Sequence, residues 1–126
     1  MDIAERRVAD VVLVAPTGPI DHPHAQDLEH ALAPALAPDA KDAAALVLDF
    51  GGVGYVSSMG LRVLIVAAKA LRARNSRIAV AALQPVVAEI FDIARFTHVL
   101  EVYPTVRDAL AAVSPAALAA WDGTAR

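Results

Sequence analysis

Residues 51–64, GGVGYVSSMGLRVL, decide how the chain is read. Before them stands AALVLDF, residues 44–50, an apolar run suited to a strand buried on both faces. After them, from about Ser58 to Arg72, apolar residues recur at helical spacing. A glycine-rich exit from a buried strand into a helix is the joint of a β–α unit. This joint carries two adjacent hydroxyls, Ser57 and Ser58. Ser57 fits the N-cap, where a side-chain oxygen accepts a backbone N–H of the first turn. Val56 and Leu61 then stand at the spacing of a hydrophobic staple. Ser58 becomes the first helical residue and is expected to point outward.

On a helical wheel, Leu61, Leu64, Ala68 and Leu71 form a stripe expected to face a sheet. Met59, Val66 and Ala73 fall opposite, with Arg62 and Lys69 at their border. An ordinary surface helix is charged there. This one is either covered by a neighbouring helix or presents a protein-docking face. Gly60 costs up to ~1 kcal/mol against alanine at a helical position. The offset is close approach of another backbone, a kinase reaching Ser58, or loop-to-helix packing against the sheet.

Working outward, RRVADVVLVAP reads as a hairpin: a strand over Ile3–Val8, a tight turn at Ala9-Asp10, and a strand over Val11–Ala15. Gly18 and Pro19 break the pattern. HPHAQDLEHALAPALAPDAKD reads as a helix capped by Asp21 or His22, with Pro23 at its first position and Ala25, Leu28, Leu32 and Leu36 at helical spacing. Pro34 is expected to end or kink it, and Pro38-Asp39 to close the segment. After the Ser58–Arg72 helix, Asn75 provides the stop. RIAVAAL is a strand, and Pro85 opens a helix with Val86, Ile90 and Ala94 at helical spacing. HVLEVY is a short strand, and Pro104 opens a last helix, TVRDALAAV. Two strands joined by two residues are antiparallel, whereas strands alternating with helices are parallel. The expected fold is therefore α/β: a mixed sheet of four to five strands with an N-terminal antiparallel hairpin and about four helices. One domain spans residues 1–113, and 114–126 form a tail that is a short helix or frays.

The totals agree. A chain of 126 residues fits one domain and buries roughly two-thirds of its unfolded surface. It is 57% hydrophobic and 20% charged, too apolar for disorder. A formal charge of −3 without a basic block argues against nucleic acid and anionic membrane as partners. There are no cysteines, hence no disulfides, thiolate metal sites or thiol nucleophiles. The longest clearly apolar run, Val63–Ala68, is far short of the ~20 residues a membrane helix needs. A cytoplasmic domain without membrane insertion is expected.

The stretch LVLDFGGVGYVSSMGLRVL, residues 46–64, resembles the signature of the STAS domain family, whose soluble members are anti-sigma factor antagonists. The opening hairpin, the GPID turn, AALQPVVAEIFDIARF and HVLEVYPTVRDAL agree with it, so the resemblance covers about Ile3 to Val113. It implies partner switching. The unmodified antagonist binds an anti-sigma factor that is itself a serine kinase, phosphorylation releases it, and a metal-dependent serine phosphatase resets it. Aligned on Gly60-Leu61, the family's phosphorylated serine falls on Ser58, with Ser57 as second choice. The position before it is often Asp in the family and is Ser57 here; the one after is often small and is Met59 here. Asp21 matches an acidic position near the family's site. The implied docking residues are Asp21, Ser57, Ser58, Met59, Arg62, Val66 and Lys69. Another class within the family provides non-phosphorylated accessory subunits of ABC-type lipid transport systems. A third reading is a switch whose target is not a sigma-factor system.

Other chemistry is poorly supported. Asp49-Phe50-Gly51 spells a kinase magnesium motif, but no catalytic loop precedes it and one small domain cannot hold two kinase lobes. GGVG lacks the Lys-Ser/Thr of a phosphate loop. Ser58 has half of a hydrolase elbow, Gly60 after it but Val56 before it, and His98 is the one base to propose. No enzyme activity and no cofactor are expected. His22, His24 and His30 lie near Asp21, Asp27 and Glu29, a pattern that fits a divalent metal or a solvated helix face. Trp121 covers an edge of the core or serves a partner.

Overall fold

The structure is a computed structural model that describes residues 1–37 and 45–124. Five strands lie in chain order across one sheet: β1 (Asp2–Val8), β2 (Val11–Thr17), β3 (Ala45–Asp49), β4 (Arg77–Ala81) and β5 (Glu101–Tyr103). β1 pairs antiparallel with β2, and the remaining neighbours are parallel. Five α-helices accompany them: α1 (His22–Leu36), α2 (Ser58–Arg72), α3 (Pro85–Ile93), α4 (Val106–Val113) and α5 (Pro115–Thr124). The mixed sheet and its opening hairpin are as the sequence predicts.

Strand periodicity sorts the core into two layers. Val14, Leu46, Leu48, Ile78 and Val80 point to one face, where α1, α2 and α3 pack. Leu13, Ala45, Val47, Ala79 and Ala81 point to the other, beneath α4 and α5. The alanines on that second face leave room for close helix approach, and Ala109 and Leu110 of α4 are buried there. Phe91 of α3 meets Phe50 edge-on, with centroids 6.4 Å apart, and Phe96 at 5.3 Å, which anchors α3 to the first layer.

Several boundaries differ from expectation. β2 continues past Ala15 to Thr17, with Pro16 opposite Ile3. β3 pairs with β2 only over Val11–Val14, so a residue without an N–H is tolerated at Pro16. α1 carries Pro34 inside and ends two residues later, at Leu36, with Arg74 donating to the carbonyls of Ala35 and Ala37. Those are C-terminal acceptors that no helical donor reaches. Pro38-Asp39 lie outside the described residues. Asn75 does stop α2: it adopts a left-handed backbone, φ 59°, and Ser76 N–H returns to Leu71 O at 2.9 Å.

In α3 the expected stripe of Val86, Ile90 and Ala94 is not the buried one. Val87 and Phe91 are buried, whereas Val86 and Ala94 are exposed. The helix is apolar on nearly every side, so spacing alone does not select its core face. HVLEVY is a strand only over Glu101–Tyr103; Phe96–His98 form a 3₁₀ turn. The helix expected to open at Pro104 begins at Val106, with Thr105 capping α4 and accepting from Asp108 N–H at 3.0 Å. The tail forms α5, with Ala117 buried and Trp121 half-buried against the second layer, the guanidinium of Arg6 lying 5.2 Å from its ring centroid.

Candidate functional site

Two helices begin side by side at the C-terminal end of the parallel strands. The loops that follow β2 and β3 are stitched together by the backbone. Gly18 N–H donates to Gly52 O at 2.9 Å, Ile20 N–H to Tyr55 O at 2.8 Å, and Ser57 N–H to Ile20 O at 2.8 Å. Ile20 and Val56 form an isolated parallel bridge between them. The N-termini of α1 and α2 are thereby held next to one another. Each contributes free N–H groups and the positive end of a helix dipole.

Each start is capped by its own side chain. Asp21 Oδ1 accepts from His24 N–H at 3.1 Å, and Ser57 Oγ accepts from Gly60 N–H at 3.2 Å. The two serines therefore have different work. Ser57 is half-buried and spent on the cap, whereas Ser58 is the first helical residue and exposed. Gly60 is buried, and a Cβ there would stand 2.8 Å from Ile20 Cγ2 and 2.9 Å from Val56 Cγ1. Packing of α2 against the β2–α1 turn is the offset for a helical glycine, from within the molecule itself.

The wheel of α2 holds on its outer side. Met59 is 38% and Val66 52% exposed, and Arg62, Lys69 and Ala73 are exposed as well, so among the described residues no neighbouring helix covers this face. On its inner side Gly60, Val63 and Ala67 join Leu64, Ala68 and Leu71, while Leu61 is only half-buried. α1 packs along α2, which is why the buried stripe is wider than contact with the sheet alone requires. Tyr55, 47% exposed in the glycine-rich loop, is a further presented side chain; an aromatic residue flanked by turn residues is the signal that marks it.

The remaining candidates are not assembled into chemistry. His98 lines a cleft with Arg72 and Asn75, at the opposite end of α2 from Ser58. A helix of this length separates them by about 20 Å, so they are no nucleophile–base pair. His24 Nδ1 lies 3.0 Å from both Pro19 O and Asp21 Oδ1. Among the described residues, no group of three or more His, Asp or Glu is placed to hold a metal ion. No described helix is long and apolar enough to cross a membrane.

Comparison with known proteins agrees with this geometry. Residues 2–109 match the STAS domain. A candidate anti-sigma factor antagonist, BtrV of Bordetella bronchiseptica, is 32% identical over 120 residues, 94% of this chain and 98% of that protein. The crystal structure of an anti-sigma factor antagonist from Mycobacterium paratuberculosis superposes with a TM-score of 0.79 at 28% identity, covering 89% of this chain and 92% of that one. The Bacillus cell fate determinant SpoIIAA in its phosphorylated form shares the fold, with a TM-score of 0.69 at 15% identity over 90% of this chain and 100% of that one.

Proposed function

This chain belongs to the STAS domain family, and from that premise we propose that it is an anti-sigma factor antagonist working by partner switching. In this reading it is a binding module rather than an enzyme. Its unphosphorylated form docks through the outer face of α2 on an anti-sigma factor that is a serine kinase. The kinase transfers the γ-phosphoryl group of ATP to Ser58 Oγ, the hydroxyl proton leaves to a base of the kinase, and ADP is released. A metal-dependent serine phosphatase hydrolyses the ester and restores the hydroxyl. Asp21, at the adjacent helix start, helps to seat the kinase.

The observation that carries this reading is the division of labour between the serines: Ser57 Oγ is hydrogen-bonded to Gly60 N–H while Ser58 is exposed beside uncovered Met59 and Val66. A phosphate on Ser58 adds roughly −1.5 to −2 charges. At a helix N-terminus that charge is favourable, so the scaffold persists. Under a docked partner the same charge loses water without gaining a counter-ion, which costs several kcal/mol. One modification therefore abolishes a complex and spares the fold.

The test uses wild type, Ser58→Ala and Ser58→Asp as baits in the source cell, followed by phosphosite mapping with the captured kinase and ATP. Ser58→Ala keeps the kinase, Ser58→Asp loses it, and the phosphate maps to Ser58. Phosphate on Ser57 would reassign the acceptor. A Ser58→Asp bait that retains transporter ATPase components would instead establish the non-phosphorylated accessory role in an ABC-type lipid transport system.

A further inference from the structure

Two outer helix faces in the first layer are complementary. α2 contains no acidic residue, and its exposed side carries Arg62 and Lys69 around Val66. α3 contains no basic residue, and its exposed side carries Glu89 and Asp92 around Val86 and Ile93. Val86 is 55% and Ile93 77% exposed; with Val66 they are the three most exposed large aliphatic side chains among the described residues. Laid on a wheel, Val87 and Phe91 turn α3 inward, which leaves Glu89 central on the outside with Val86 and Ile93 on one flank and Asp92 on the other.

α2 and α3 pack on the same face of the sheet and connect successive parallel strands, so they point the same way along it. A two-fold axis running along the helices, between α2 and α3, lays α2 of one copy over α3 of the other, twice. We propose that these faces pair two copies of this chain in a symmetric dimer, basic-apolar α2 against acidic-apolar α3 in both directions. Such an interface is self-complementary, as a closed two-fold contact must be. Few apolar side chains take part, so the dimer belongs to the weak, reversible class. It covers the outer face of α2 that includes Ser58, so a second copy and a docked partner exclude one another.

Sedimentation of the full chain across a concentration series is the test. Mass rises from that of one 13.2 kDa chain toward twice that value as concentration rises, and falls back as salt is added. Ile93→Lys, which replaces the apolar contact by a cation against the basic α2 face, abolishes the rise while its circular dichroism remains that of wild type. Charge reversal decides the pairing. A chain with Arg62→Glu and Lys69→Glu is monomeric alone, as is one with Glu89→Lys and Asp92→Lys, and an equimolar mixture of the two recovers the dimer. Wild type that stays monomeric up to its solubility limit overturns the proposal. So does a dimer that survives Ile93→Lys, or a mixture of the reversed chains that fails to associate. None of these results bears on whether Ser58 is phosphorylated.

Discussion

Gly60→Ala sets two effects of known size against each other. Alanine gains up to ~1 kcal/mol over glycine inside a helix. Here the added methyl would stand 2.8 Å from Ile20 Cγ2, 2.9 Å from Val56 Cγ1 and 3.4 Å from Ile20 O. Both carbons belong to β-branched side chains, which are stiff at χ1, and both residues are at most 2% exposed. Neither methyl can swing aside without pushing into close-packed neighbours. Overpacking of this kind costs about 1–3 kcal/mol, so with the full helix gain set against it the net expectation is a loss of up to about 2 kcal/mol. At this chain length that lowers Tm by roughly 4 °C per kcal/mol. Urea unfolding followed by circular dichroism measures it. The same methyl pries at the stitch between Ile20 O and Ser57 N–H, so partner binding should weaken beyond what the stability loss explains. An alanine variant more stable than wild type would refute the packing account. If such a variant also lost its partner, the glycine would be there for an approaching protein.

Ser57→Ala removes the α2 cap and is expected to cost about 1 kcal/mol in urea unfolding, whereas Ser58→Ala stays within about 0.5 kcal/mol of wild type. Ser114→Ala removes a buried hydroxyl that accepts from Ala117 N–H and donates to Asp10; about 1–2 kcal/mol is lost, and hydrogen exchange in α5 quickens first. The Glu101 carboxyl is held below its ordinary value, first by hydrogen bonding to Arg77 and next by that from Tyr103, with burial opposing both. A lowered folded-state value contributes stability above the unfolded value, and this is lost as pH falls through the folded one. The stability gap between wild type and Glu101→Gln, below about 1 kcal/mol because both partners are substantially exposed, therefore closes as pH is lowered beneath 4.5. A gap that widens toward acid would refute the assignment.

The hairpin, the strand–helix alternation and the α2 boundaries were legible because each rests on a local rule. Two residues between strands force antiparallel pairing, and Ser57 and Asn75 bracket the helix. The Ser57 cap was legible for the same reason, whereas the outer face of α2 was open between a covering helix and a docking face until its exposure in space decided. The core face of α3 was not, since Val86/Ile90 and Val87/Phe91 share one spacing, and only the position of Phe50 and Phe96 in space selects Phe91. The persistence of α1 beyond Pro34 depends on Arg74, almost forty residues away in the chain. The reason for Gly60 was open among three readings, because Ile20 approaches it from another loop.

That approach bears on the proposed phosphorylation, because it makes the scaffold around Ser58 firm. The stitched loops fix the backbone of both helix starts before any side chain is considered. Ser57 and Asp21 then satisfy the first-turn donors, and Gly60 lets α2 lie close to Ile20. Nothing in this set uses the Ser58 hydroxyl among the contacts described. A charge placed on it meets two helix N-termini and, one turn on, Arg62, with no acidic residue in the first turn of either helix. The capping carboxylate of Asp21 is an opposing charge at these starts, and its Oδ1 is already engaged by His24 N–H. The domain is therefore expected to bear a phosphate at Ser58 with little change in stability. The same charge lands on the basic-apolar stripe that any acidic partner, or the α3 face of a second copy, must read. In the proposed switch, release follows from the change in that stripe alone, without a rearrangement of the fold.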